Sequence, residues 1–218
     1  MYLLTFIGCY LLIGNLFHRV IFPEKKPAVA NYFRPGQEFY SKAESFRQNV
    51  IKQEDGFVFG YLEVEPFAPG PPKHIHDGFD ETFQIENGEL TVWINGTIKK
   101  LHPGETLFIP RGTPHQPYNE TADTIRVKGA FAFPEKFAYH LSQVYGFMDD
   151  NPDFAKSPKT IFQMAMFQQA GFDSYVADGP PVFIQKAIGF VANPVSRLFG
   201  IKSYYEKYDL QKTLVTVE

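Results

Sequence analysis

The sequence contains a single cysteine, Cys9, so no intrachain disulfide can form and any stability must come from packing or from a bound ion. Charge of one sign is also lacking. With 21 Lys and Arg against 24 Asp and Glu, the net charge is −3 and the pI is near 6.1, which gives no electrostatic reason to bind nucleic acid. No helix-turn-helix signature, internal repeat or low-complexity stretch is present. Residues 1–17 lack any charged side chain. At 218 residues there is room for one domain with extensions.

What is present is a histidine pattern. One segment reads His74-Ile-His76-Asp-Gly-Phe-Asp-Glu81, with Gly88 beyond it. A second runs from Gly104 through Pro110 and Gly112 to His115 and Asn119. Side chains alternate along a strand, so His74 and His76 share a face if the segment is extended. A helix would place them roughly 200° apart, where they cannot share an ion. Imidazole and carboxylate are preferred by divalent transition metals. The leading reading is therefore one metal per chain, Fe, Mn, Ni, Co or Zn, held by His74, His76, Glu81 and His115. Glu81 is also the candidate catalytic group, as a ligand or as a base if it dissociates. Asp77 and Asp80 read as a solvated loop, His102 as an exposed turn residue, and His18 and His140 as non-ligands.

The surrounding turns predict how these residues meet. Glu81–Asn87 should be a strand with Glu81, Phe83 and Ile85 on its inner face. Asn87-Gly88 and Asn95-Gly96 are hairpin signals that bound Glu89–Ile94 and begin Thr97–Leu101. Thr106–Ile109 is another short strand, and the turn Pro110–Pro114 delivers His115. Closely spaced antiparallel hairpins of this kind indicate a mainly β domain, a β-sandwich or a small antiparallel β-barrel. Closure is expected to carry His115 back beside His74, His76 and Glu81.

These residues resemble the two motifs of the cupin superfamily. The first has His-x-His, then Glu, then Gly, as at His74, His76, Glu81 and Gly88. The second has Gly, Pro-x-Gly, His and Asn, as at Gly104, Pro110, Gly112, His115 and Asn119. One departure is Gly70, which lies closer to the His pair than the family's leading Gly. The resemblance covers residues 70–119 and implies a small antiparallel β-barrel of the jelly-roll type over 36–132. It also implies a metal site similar to that of quercetinase-like and germin-like cupins, and so a dioxygenase-like oxidoreductase. A metal-dependent isomerase, lyase or hydrolase is the enzymatic alternative. A membrane-tethered binder of a small ligand is the alternative without turnover. A homodimer is left open.

Aromatics make up 17% of the chain, which favours a small aromatic or hydrophobic substrate over a sugar phosphate. If Phe57–Pro66 is one strand, Phe57, Phe59 and Tyr61 share a face and join Phe83 and Phe108 as the expected pocket. Phe131 and Phe133 are further candidates.

The two ends read differently. Residues 1–22 form an apolar stretch interrupted by His18-Arg19, long enough for a membrane anchor, since a span needs about 20 residues. A hydrophobic helix packed on the protein and a cleaved signal are the alternatives. Arg19, Lys25 and Lys26 follow the stretch, so the positive-inside rule predicts a membrane-associated protein with its barrel on the cytoplasmic side. Residues 134–208 read as a helical extension. Helices are expected over Pro134–Met148 and Pro158–Ala170, and over Pro181–Phe199 with a break at Asn193-Pro194. They should pack on the barrel, or else lie on a membrane with Tyr204, Tyr205 and Tyr208 at the interface. Leu210–Glu218 reads as a polar tail.

Overall fold

The computed structural model describes residues 2–21, 24 and 27–210, apart from the side chains of residues 17, 19, 129–131 and 155. Phe22, Lys25, Lys26, the side chains of Arg19 and Phe131, and most of the expected tail therefore lie outside the described residues.

The N-terminal stretch is helical but changes pitch along its length. An α-helix, α1 (Tyr2–Leu12), passes into a π-helical turn at Ile13–Phe17 and then a short α2 (His18–Ile21). Among the described residues no helix is long and apolar enough to cross a membrane.

The β domain consists of two antiparallel sheets, the jelly-roll form of the expected architecture. One sheet holds β1 (Glu38–Ser41), β2 (Phe46–Glu54), β3 (Phe57–Val64), β5 (Glu81–Asn87), β8 (Thr106–Ile109) and β10 (Ile125–Pro134), in the order β1-β2-β3-β10-β5-β8. The other holds β4 (His74–Ile75), β6 (Leu90–Ile94), β7 (Thr97–Leu101), β9 (His115–Tyr118) and β11 (Tyr175–Val176), in the order β11-β4-β9-β6-β7. The inner faces share one apolar core containing Val58, Leu62, Phe83 and Ile85 from the first sheet and Leu90 and Val92 from the second. The Asn95-Gly96 hairpin forms between β6 and β7 as expected, whereas at Asn87-Gly88 the chain crosses from β5 in one sheet to β6 in the other; both glycines have positive φ. Gly70 is also left-handed, and a Cβ there would lie 1.9 Å from the carbonyl oxygen of Pro117, so no larger residue fits.

Strand β3 faces the opposite way from the expectation. Val58, Leu62 and Val64 are buried, whereas Phe57 is exposed and Phe59 and Tyr61 are half-buried on the outer face. Glu63 shares their parity, so turning Phe57, Phe59 and Tyr61 inward would also bury its charge. Cations cover the outward rings instead: Lys52 lies over Phe59 and Arg126 over Tyr61.

The extension is part of the same core. Helix α3 (Glu135–Asp150) follows β10 directly, begins after Pro134 with Glu135 in its first turn, and buries Phe137, Leu141, Val144, Tyr145 and Met148. Helix α4 (Pro158–Ala170) carries Pro158 in its first turn and ends at Gly171, which has φ 131°. Helix α5 (Val182–Leu198) runs through Pro194 without the expected break. Pro194 and Asn193 are buried, and the Asn193 side chain donates to Gln169 Oε1 and to the carbonyl of Ala165, which ties this turn to α4. Tyr205 and Tyr208 pack on the protein: Tyr205 Oη donates to Gln163 and Tyr208 Oη to Asp150.

Candidate metal centre

The site lies where the two sheets meet. β4 pairs with β9 so that His74 is directly opposite His115, and His76 follows just beyond β4. Glu81 begins β5 in the other sheet, and its inward parity with Phe83 and Ile85 carries the carboxylate to the three imidazoles. One donor atom from each of His74, His76, Glu81 and His115 can be chosen so that all four lie within 4.8 Å of one another. His115 Nε2 is 2.8 Å and His76 Nε2 3.8 Å from the same Glu81 oxygen, Oε2.

The far nitrogen of every ring is held by backbone. Nδ1 of His74 meets the Pro72 carbonyl, Nδ1 of His115 the Thr113 carbonyl, and Nδ1 of His76 the Asp173 carbonyl. Since a carbonyl only accepts, each Nδ1 carries the proton and each Nε2 is turned toward the common point. That is the arrangement a metal requires of three imidazoles. Burial, reinforced by the neighbouring imidazoles, holds the His74 pKa well below the usual histidine value, and burial lowers that of His76 as well. Both rings are therefore neutral, the form in which imidazole can bind a metal. For Glu81, burial favours the acid, but His115 and His76 outweigh it and hold the carboxylate form. For His115, burial favours the neutral ring, and the hydrogen bond and charge of Glu81 reverse the balance and raise its pKa.

Around the ligands is an aromatic wall. Phe79 stacks on His76 at 4.3 Å, Phe137 meets the His76 ring edge-on at 5.1 Å, and Phe172 stacks on Phe137 at 5.3 Å. His74, His76 and Glu81 also line an 810 Å³ cavity that runs between the β domain and the helices past Leu141, Met148 and Met164. This is near the upper end of the roughly 300–1,000 Å³ usual for small-molecule sites. Of the expected pocket residues, Phe83 lines this cavity, as does Phe133. Phe57, Phe59 and Tyr61 do not, because β3 turns them outward. Phe108 is exposed because Leu107 and Ile109 take the inner face of β8.

The remaining polar residues have partners of their own or face solvent. Asp80 accepts from the Arg111 backbone N–H, Asp77 pairs with Lys186, and His102 is exposed. His140 is buried in α3 with Nδ1 on the Lys136 carbonyl. Asn119 is structural. Its amide donates to the Glu65 and Asp123 carbonyls, and its Oδ1 accepts from Thr121.

Two residues of the site had no signal in the sequence. Asp173, in the turn after α4, accepts the backbone N–H groups of Asp77 and Gly78 on its carboxylate while its carbonyl takes His76. Glu44 lines the cavity and is fully buried, and desolvation pushes its pKa up to about 8 despite a hydrogen bond from Tyr145.

The cupin-domain family model matches residues 60–128. No curated protein matches. Among solved structures, a cupin-2 domain protein from Shewanella frigidimarina is 25% identical over 37% of this chain and 74% of its own, with a TM-score of 0.32. The polyketide cyclase RemF from Streptomyces resistomycificus is 23% identical over 47% of this chain and 75% of its own, with a TM-score of 0.35. A sugar phosphate isomerase of the cupin superfamily from Silicibacter pomeroyi is 18% identical over 48% of this chain and 76% of its own, with a TM-score of 0.37.

Proposed function

With a cupin domain at the centre of this chain, we propose that it holds one divalent transition metal on His74, His76, Glu81 and His115 and acts as an oxygenase on a small aromatic or hydrophobic compound. One observation carries the reading: four donors converge, the outer nitrogens of the three imidazoles are fixed by backbone, and His74, His76 and Glu81 line an apolar cavity. When bound, the metal supplies open coordination positions for substrate, water or dioxygen. The chain supplies the rest. Phe79, Phe133 and Phe137 keep water from the ligands and give an aromatic substrate a face to pack on. Glu81 remains ionised, as a ligand or, when displaced, as a base.

Glu44 supports a second reading, a metal-dependent isomerase or lyase. It is a carboxylic acid held neutral near pH 7 in the same cavity as an ionised Glu81. An acid and a base facing one substrate can move a proton without any oxidant.

Metal analysis of the purified protein comes first. Less than about 0.1 metal per chain, with no gain on reconstitution, sinks both readings. With metal present, oxygen uptake on addition of a flavonol supports the oxygenase. Turnover under strict anaerobiosis excludes it in favour of the isomerase. Tight binding with no turnover in either condition identifies a receptor.

A further inference from the structure

The cavity extends well beyond the ligand cluster. It runs from the buried His76 and Glu81 to Ile161 on α4, Val176 on β11 and Ile188 on α5. These three are exposed by 63%, 54% and 48%, so they mark its mouth. Ile188 is one helical turn from Ile184 and Val191, which are exposed too, and α5 also leaves Phe183, Phe190 and Leu198 uncovered, with Phe199 just past its end.

The N-terminal helix is docked on this same element. Tyr10 Oη donates to the Val191 carbonyl, Asn15 Nδ2 to the Phe190 carbonyl, and Arg197 to the Gly14 carbonyl. Gly14 passes so close to Pro194 that a Cβ would lie 2.3 Å from the ring. The two helices thus form one body whose outer surface is largely apolar, with Lys186, paired with Asp77, as a charged exception. Helix α1 has no buried residue and no charged side chain, and Tyr2, Leu3, Leu4, Phe6 and Ile7 are each at least 43% exposed. Successive residues point about 100° apart on a helix, so these five fan over about 200°, and Leu12, 49% exposed, stands in the middle of the remaining arc, so apolar side chains are exposed on every side. A protein partner, including a second copy of this chain, buries a stripe. A fluid apolar phase wets every side at once.

We propose that α1 and α5 seat this protein on a lipid bilayer by partial insertion, without a span, and that the mouth at Ile161, Val176 and Ile188 admits the substrate from that bilayer. The substrate class is then an elongated, membrane-dissolved apolar molecule whose oxygen-bearing end reaches His76 and Glu81. This last step rests on the metal reading above, whereas the docking and the route do not. The wall composition fits an extended chain: Leu141, Val144, Met148 and Met164 offer aliphatic and thioether contacts that adapt to its bends.

Flotation of the full chain with phosphatidylcholine vesicles tests the docking. The protein should rise with the vesicles, and Leu4→Glu with Phe6→Glu, or Phe190→Glu alone, should cut the bound fraction by about tenfold at unchanged metal content. Wild-type protein that stays below the vesicles overturns the docking, and a stable dimer that ignores vesicles assigns the surface to a second copy. Fluorescence of cis-parinaric acid, a polyene fatty acid, tests the route in vesicle-free solution. Wild-type and metal-stripped protein should both bind the probe. Ile188→Arg and Ile161→Arg, at exposed rim positions, should each weaken binding by about tenfold, and Phe190→Glu should leave it unchanged. Absence of probe binding, or binding indifferent to both rim variants, overturns the route. A failed metal reading would appear separately, as low metal content beside normal probe binding.

Discussion

His115 Nε2 stands 2.8 Å from Glu81 Oε2, and this contact bridges the two sheets. His115 begins β9 of one sheet and Glu81 begins β5 of the other. Both side chains are buried, with exposures of 1% and 9%. An imidazole whose outer nitrogen already donates to the Thr113 carbonyl can approach a carboxylate this closely with a shared proton or with a cation between them. The same geometry therefore serves as a charge-assisted hydrogen bond without metal and as half of a ligand set with it.

Replacing His115 by Ala removes one of the four candidate ligands and leaves Glu81 with His76 at 3.8 Å and His74 within 4.8 Å. Metal affinity should fall by more than about 100-fold, since even residues that only support ligands contribute 10–100-fold. Metal per chain after dialysis is the readout, with far-UV circular dichroism to show that the sheets persist. Unchanged metal content would make His115 a structural residue and sink the four-ligand assignment.

Asp173 should matter without touching the metal. Its carboxylate holds the Asp77 and Gly78 N–H groups and so fixes the turn that leaves His76. Asp173→Ala should weaken metal binding by about tenfold. Asp173→Asn keeps an acceptor oxygen at the same place and should recover most of the loss. Equal affinity in Ala, Asn and wild type would show that the backbone contact to His76 alone orients the ring.

These two residues also show what sequence reveals. His115 was legible because the turn at Pro110–Pro114, the alternation along β5 and the turns at Gly88 and Gly96 are local signals, and together they imply that the motifs meet, although the Gly88 turn crosses between sheets instead of closing a hairpin. Asp173 was not, because it reaches the site from a helical extension that carries no ligand-like spacing. Strand β3 was misread by one face. Its aromatics suggested a pocket, but Glu63 shares their parity and the cost of burying its charge decides the orientation. The break expected at Pro194 failed for a similar reason: local propensity opposes a proline inside a helix, whereas packing against Gly14 and the Asn193 bonds to α4 hold the turn. Glu44 resembled any surface acid until the tertiary fold buried it.

Glu44 makes stability depend on pH in a direction opposite to that of a paired carboxylate. Its pKa is about 8 in the folded state against 4.5 ordinarily. Between these values the folded chain keeps the proton and the unfolded chain releases it, so stability falls as pH rises from 5 to 8. At ~1.4 kcal/mol per unit, the full effect is roughly 3–5 kcal/mol. Glu44→Gln preserves the shape and the hydrogen bond from Tyr145 but cannot ionise. Denaturant titrations should find the variant close to wild type at pH 5 and more stable by about 3 kcal/mol or more at pH 9. Comparing the two proteins cancels the histidine contributions to the same pH range. Parallel curves for both would mean that Glu44 is solvated in the folded protein.

Phe137 links the helical extension to the metal ligands, and its removal should affect both stability and affinity. Its ring is 4% exposed and contacts His76, Phe79, Phe133 and Phe172 at centroid distances of 5.1, 4.8, 5.2 and 5.3 Å. Phe137→Ala opens a void in a close-packed cluster and should cost about 3–5 kcal/mol. For a chain of this size that corresponds to a fall in Tm of roughly 10 °C. The void also removes the edge contact that Phe137 makes with the His76 ring, so metal affinity should drop, although no ligand has been altered. Phe137→Leu retains much of the volume and should cost less on both measures. A Tm loss with metal affinity fully retained would separate the two roles and show that the Asp173 carbonyl and Phe79 suffice to hold His76. Loss of both in Ala and partial recovery of both in Leu would establish that α3 sets the geometry of the metal site through this one ring.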